Sequence, residues 1–331
     1  YKACRYRDLE VIQFLVENGA DVNSIIKSNK NNMLRVACLN NNFSAIRYLI
    51  DSGLSPNNKN KAWKTPLHIA CKHCDINSIE YIFDNFKGLQ LDNSDNLYKD
   101  IPDKKGEYPI HYACEYNSLD VVKYLIEKNV DANCTNFNGV RPINKIILSN
   151  KIKQRKGVLY LIKKDVNIFS LTNRRNSLLH CICQSKKPSI NIFKLLIDKG
   201  LNIYQANSNG FTPLHIMCMY NQYKLLNFLI DKEINLEILT NKLQTPLYIS
   251  CCYSRSRVIR MLIDSKCDLN KCDIEDNSIY HKLLKYQRGH IIKYVLSFVE
   301  KDFVNNKGKS FIHNLFAYHS KKNYKKMSWI R

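Results

Sequence analysis

The heptapeptides TPLHIAC (65–71), TPLHIMC (212–218) and TPLYISC (245–251) are three copies of one motif. Thr at the first position suits a helix N-cap, and Pro follows at the first helical position, where its missing N–H leaves nothing unsatisfied. Looser copies read NMLRVAC (32–38), YPIHYAC (108–114), RPINKII (141–147), SLLHCIC (177–183), SIYHKLL (278–284) and SFIHNLF (310–316), and a truncated copy ends at Cys4. Successive starts lie 33, 43, 33, 36, 35, 33, 33 and 32 residues apart, a spacing that defines a repeat array.

Each copy is followed by a second apolar stretch, as in LEVIQFLVENGADVN (9–23), LDVVKYLIEKNVDAN (119–133), INIFKLLIDKGLNI (190–203) and VIRMLIDSKCDLN (258–270). Apolar residues recur there at three- and four-residue intervals, and Gly19, Gly53, Asn129 and Gly200 mark the ends. The unit is helix, turn, helix, loop.

Motif and period together resemble the ankyrin repeat family, whose T-P-L-H-x-A signature is nearly verbatim at 65–70 and 212–217, with G-A-D-V-N at 19–23 in support. The resemblance implies an all-α solenoid of about ten helix-turn-helix repeats with β-hairpin-like fingers, forming a single array over 1–331. A partial first repeat precedes residue 24, and the step of 43 places a lengthened finger at 85–103. Glycine shapes the finger turn at Gly106, Gly139, Gly210 and Gly308, but Lys30, Trp63, Arg175, Leu243 and Asp276 fill that slot elsewhere. Those fingers are expected to be less regular.

Composition agrees with a globular chain. Of 331 residues, 45% are hydrophobic and 24% charged, with 10 Gly and 8 Pro, which excludes wholesale disorder and collagen-like order. No apolar run approaches the roughly 18–20 residues of a membrane helix, and residues 1–25 carry no signal-peptide pattern. An intracellular, cytoplasmic monomer is expected, with further chain beyond one or both ends because neither terminal repeat carries a polar cap.

The 13 cysteines suggest metal or disulfides until they are aligned. Cys4, Cys38, Cys71, Cys114, Cys183, Cys218 and Cys251 share one slot, and His68, His111, His180, His215, His281 and His313 share another. Copies of one slot lie roughly 10 Å apart, too far to converge on a zinc ion. The resemblance implies a buried small residue at the cysteine slot and a histidine hydrogen-bonded between neighbouring repeats. Cys267 and Cys272, five apart across a loop, are the one pair to check for a disulfide. DNSDN (92–96) lacks the glycine and closing glutamate of a calcium loop, and no nucleotide loop, H-E-x-x-H, G-x-S-x-G or kinase set appears. No enzyme, cofactor or metal is expected.

The formal charge of +22 is local. Residues 1–140 hold 17 basic and 17 acidic side chains, 141–200 hold 14 and 2, 201–250 hold 3 and 3, and 251–331 hold 17 and 7. The first excess includes Lys151, Lys153, Arg155 and Lys156, with Lys163, Lys164, Lys186 and Lys187, expected mostly at turns between paired helices, and Arg174 and Arg175 on a finger.

Two residues after the cysteine slot, on the face the family keeps variable and turns inward, stand Tyr6, Asn40, His73, Tyr116, Ser149, Ser185, Tyr220, Tyr253, Tyr286 and Tyr318. A tyrosine ladder supplies rigid amphipathic contact area, or else packs over the next repeat with its hydroxyl in water. The implied function is a non-catalytic scaffold binding a protein or peptide through the concave face and fingers, with Tyr116, Tyr220, Tyr253, Tyr286, Phe211, Met219 and Trp63 as contacts. The alternatives are a polyanion at 141–200, meaning an anionic membrane surface or, with few aromatics for base stacking, nucleic acid, and a regulatory or targeting arm of a larger enzyme or channel.

Overall fold

The computed structural model describes the chain except residues 1, 7, 86–100, 117–118, 150–153, 287–288, 299–303, 305–307 and 309–331, with backbone alone at residues 5–6, 154–155, 281, 284–286, 289–290 and 296. The expected lengthened finger, the repeat at 310 and Tyr318 therefore fall wholly or largely outside the described residues. The chain forms two compact units, 1–173 and 174–331.

In the first unit the leading helices are α1 (Lys2–Tyr6), α3 (Met33–Leu39), α5 (Pro66–His73), α7 (Pro109–Tyr116) and α9 (Pro142–Leu148). They alternate with α2 (Leu9–Glu17), α4 (Phe43–Asp51), α6 (Ile76–Asp84), α8 (Leu119–Glu127) and α10 (Gln154–Lys163). The second unit repeats the alternation as α11 (Leu178–Gln184), α12 (Ile190–Asp198), α13 (Pro213–Tyr220), α14 (Tyr223–Ile230), α15 (Pro246–Cys252), α16 (Ser256–Asp264), α17 (Ile279–Tyr286) and α18 (Gly289–Leu296). Each leading helix packs on the next within its unit, α3 on α5 and α13 on α15 among them.

Helices of five to ten residues are too short to persist alone, so stacking makes the fold. Leading helices are buried almost all round: Met33 through Cys38 in α3 and Pro213 through Cys218 in α13. Trailing helices bury one stripe, such as Ala45, Ile46 and Leu49 or Val258, Ile259, Leu262 and Ile263. On the opposite side tyrosines lace neighbours together: Tyr81 donates to Asp51, Tyr124 to Asp84 at 3.1 Å, and Tyr294 to Asp264.

The histidine slot joins consecutive repeats. His68 Nδ1 accepts the Thr65 backbone N–H at 3.1 Å, closing a capping box, while Nε2 meets the Glu107 carbonyl at 3.1 Å in the next repeat. His111 reaches Val140 O at 2.9 Å, His180 reaches Phe211 O at 2.9 Å, and His215 reaches Gln244 O at 3.2 Å. Two of the copies that lack the histidine still bond forward. Arg35, 1% exposed, donates from Nε to Lys64 O at 3.3 Å, from Nη1 to Lys30 O at 3.1 Å, and from Nη2 to Asn58 O. Tyr248 donates its hydroxyl to the Asp273 carboxylate.

The fingers are tight turns rather than strands. Among the described residues the one β-bridge within a finger is an isolated Cys272–Ser278 pair. Each turn is tied by its opening side chain: Asn60 Oδ1 accepts from Ala62 and Lys64 N–H at 2.9 and 3.0 Å, and Asn207 Oδ1 from Asn209 and Phe211 at 3.0 Å. One main-chain bond then joins each tip to the next, as Lys61 N–H to Asn29 O, Lys104 to Ala62, Phe137 to Lys105 and Asn173 to Asn138. The second unit continues in the same way, Ser208 to Arg174, Asn241 to Asn209 and Ile274 to Lys242.

The expectation of irregular fingers where glycine is missing is corrected. Lys30, Trp63, Arg175, Leu243 and Asp276 hold φ of 57°, 62°, 58°, 55° and 64°, the same left-handed turn that Gly106, Gly139 and Gly210 make at 73°, 69° and 77°. Glycine is required by proximity instead: a Cβ on Gly210 would stand 2.3 Å from Asn241 N, whereas one on Gly200, φ +91°, meets nothing within 4 Å. Gly210→Ala is accordingly expected to cost about 2–3 kcal/mol and Gly200→Ala about 1 kcal/mol, read as urea midpoints. Equal losses would refute the contact argument.

Candidate functional site

The candidate face is built from the C-terminal ends of the leading helices, the turns that follow, and the finger tips. In the second unit Tyr220 ends α13 and Tyr253 caps α15, 46% and 45% exposed. Neither hydroxyl has a hydrogen-bond partner among the described residues, so both rings present an apolar body and an unused polar tip. Met219, half-buried, accepts Arg255 Nε at its carbonyl at 2.7 Å, which ties the α15–α16 turn to the end of α13. Phe211 is half-buried against the His215 ring, edge to face with centroids 5.7 Å apart. Tyr286 ends α17.

In the first unit the corresponding tyrosine is already engaged. Tyr116 stacks on Tyr112 with centroids 6.3 Å apart, and Lys72 Nζ lies 4.8 Å from its ring centre. Tyr112, buried, donates to Asp103 at 2.8 Å beneath Lys64 Nζ at 4.6 Å. Beside them Lys145 Nζ lies 2.5 Å from Glu107 and 2.9 Å from Glu115. Burial alone would push the Glu107 carboxyl up and the Lys145 ammonium down, but their pairing outweighs it and both stay charged, Glu107 below and Lys145 above its ordinary range. Trp63 stands 53% exposed on its finger tip with Lys59 Nζ 5.7 Å from the ring, far along the chain from the second-unit tyrosines.

The basic block is divided. Lys151 and Lys153 fall outside the described residues, and Arg155, Lys156 and Lys163 lie on α10 rather than in a turn, which corrects their expected position. Lys186 and Lys187 do lie in the α11–α12 turn, and Arg174 and Arg175 are exposed on a finger of the second unit. Residues 141–200 thus contribute to both units.

Residues 1–95, 146–239 and 178–273 match a family model described as ankyrin repeats in three copies, and 98–141 match one described as ankyrin repeats in many copies. The chain belongs to the ankyrin repeat family. It is 24% identical over 216 residues to the putative ankyrin repeat protein L371 of Acanthamoeba polyphaga mimivirus, covering 65% of this chain and 25% of that protein. It is 24% identical over 201 residues to the putative ankyrin repeat protein FPV222 of fowlpox virus, covering 61% and 20%. Over 71 residues it is 37% identical to the nuclear factor NF-kappa-B p110 subunit of Drosophila melanogaster, covering 22% and 7%. The matched stretches span a quarter or less of each relative's own length.

Within this ankyrin fold the cysteine slot is packing. Cys38, Cys71, Cys183, Cys218 and Cys251 are 0% exposed, Cys4 1% and Cys114 3%, and burial pushes their thiols up. Cys267 and Cys272 are free thiols, raised by burial to about 12 and about 11. Among the described residues no group of three or more His, Cys, Asp or Glu is placed to hold a metal ion, and no helix is long and apolar enough to cross a membrane.

Sequence reasoning did not single out Arg255, Arg257 and Tyr223. Arg257 lies over Tyr223, its Cζ 3.6 Å from the ring centre. The available signal was an offset: ten residues after the motif's first position Asn42 and Asp75 accept the third N–H of the following helix, whereas Arg255 cannot.

Proposed function

We propose that this ankyrin array is a non-catalytic scaffold that binds a protein or peptide through its leading-helix ends and fingers, with Tyr220 and Tyr253 as anchors. Ankyrin repeats are in general protein–protein interaction modules, and the family supports that coarser statement for this chain. The observation that carries the finer reading is the pair of half-exposed tyrosines with unpartnered hydroxyls on successive leading helices. Tyrosine held on a rigid helix end loses little entropy on contact, which is why it recurs at interface hot spots. Tyr116 is a weaker anchor, because its ring already stacks on Tyr112 and under Lys72.

Substituting alanine at Tyr220, Tyr253 and Tyr286 together should reduce capture of bound protein in quantitative affinity purification by tenfold or more, each hot-spot ring contributing about 1–2 kcal/mol. The far-ultraviolet circular dichroism should stay unchanged. Undiminished capture by the folded variant would remove the tyrosine face from the assignment.

A further inference from the structure

We infer that the turn edge of the second unit docks an acidic, extended peptide segment, with apolar side chains on Tyr220 and Tyr253 and carboxylates on Arg255, Arg257 and Lys187. This rests on the scaffold reading above and adds the chemistry of the partner.

The stretches 184–189, 220–224 and 253–257, each a turn with its flanking helix ends, contain Lys186, Lys187, Lys224, Arg255 and Arg257 and no Asp or Glu. They are stitched side by side: Gln222 Nε2 donates to Cys183 O at 3.0 Å and Ser185 O at 2.7 Å, and Arg255 Nε donates to Met219 O at 2.7 Å. The result is one continuous band in which Tyr220, Tyr223 and Tyr253 alternate with cations. In the first unit the equivalent positions carry Asp8, Asn42 and Asp75, each accepting the N–H three residues on.

Gln222 and Arg255 make no such cap, and each bonds the C-terminal end of the preceding repeat's leading helix instead. Arg255 is thereby held by Nε alone, and its two terminal nitrogens have no partner among the described residues. Arg257 is held against the face of Tyr223 and makes no ion pair among the described residues. A guanidinium fixed by stacking or by one nitrogen is already oriented for a carboxylate and loses little freedom on binding it.

Spacing sets the pattern of the segment. Adjacent leading helices lie about 8–10 Å apart, and an extended chain advances about 3.3 Å per residue. Apolar residues three apart therefore meet Tyr220 and Tyr253, with Asp or Glu between them.

The test is selection of a phage-displayed random peptide library on the folded protein, with single-stranded oligothymidylate as a parallel probe. Recovered peptides should be enriched in Asp and Glu, with apolar residues three apart, and should bind more weakly as salt rises. They should lose affinity about tenfold or more on Arg257→Gln with Lys187→Gln, two exposed positions whose change leaves the Arg255 tie intact. Peptides that depend on Tyr220 and Tyr253 but carry no acidic enrichment would overturn the acidic partner while leaving the scaffold reading standing. Oligothymidylate binding more tightly than any recovered peptide would overturn it in favour of nucleic acid. No recovered peptide, or peptides indifferent to both sets of substitutions, would bring down the scaffold reading as well.

Discussion

Arg35→Ala is expected to destabilise the first unit by about 3–5 kcal/mol, the largest effect of any single substitution considered. Arg35 is 1% exposed on α3, and burial lowers its guanidinium only to about 10, so it stays charged at neutral pH. Among the described residues no carboxylate answers the charge; the carbonyls of Lys30, Asn58 and Lys64 do, one from its own finger and two from the loop and finger that lead into the next motif. Truncation takes the guanidinium donors from three part-buried carbonyls, of which Lys64 O keeps the Asn60 N–H, and leaves a cavity as large as the side chain. Arg35→His, which installs the residue used in most other copies, should recover part of the loss, because His68 and His180 meet the equivalent carbonyl with one nitrogen. Urea unfolding followed by circular dichroism reads both variants. An alanine variant with the parental midpoint would refute the bridging role.

Stability should fall steeply between pH 7 and pH 4.5. At His68 and His215 burial pushes the imidazole down to about 4. Their Nδ1 atoms accept backbone N–H from Thr65 and Thr212 at 3.1 Å, and their Nε2 atoms face carbonyls, so the surroundings assign one proton, on Nε2, to each ring. A second proton would set N–H against N–H. Unfolded histidine takes that proton near pH 6.5. Below this the unfolded chain gains protons that the folded chain refuses, so the stabilisation is complete above about pH 6.5 and disappears as pH falls toward 4. By pH 4.5 the loss is about 2–3 kcal/mol at each ring, one in either unit. His111 and His180 shift the same way, again chiefly through burial, and add to the slope. Melting temperatures at constant ionic strength measure it, and a flat profile from pH 7 to pH 5 would refute the assignment.

Much of this fold is legible in the sequence because a stack of short helices repeats its requirements at one spacing. Cap, proline, buried thiol and histidine recur at fixed offsets, and the buried positions from Leu34 to Cys251 follow from them. What the sequence hides is whatever depends on a neighbour one period away. Tyr116 and Tyr220 occupy the same slot, yet one ring is stacked and the other is unpartnered, because Tyr112 and Lys72 surround the first. The basic block of 141–200 is continuous in the chain but is divided between two units at Asn173 and Arg174. Arg255 reads as another surface cation until its bond to the Met219 carbonyl is seen.

The finger tips are joined main chain to main chain, and their left-handed turn is made by tryptophan, lysine, arginine, leucine and aspartate as well as by glycine. Identity at those tips is thus decoupled from integrity of the stack wherever the next finger leaves room for a Cβ. Such positions can drift under selection for a new ligand without first being compensated in the core. If the fingers take part in the proposed binding, Trp63, Arg175 and Leu243 are the sites at which such an array can change what it recognises while keeping the same backbone.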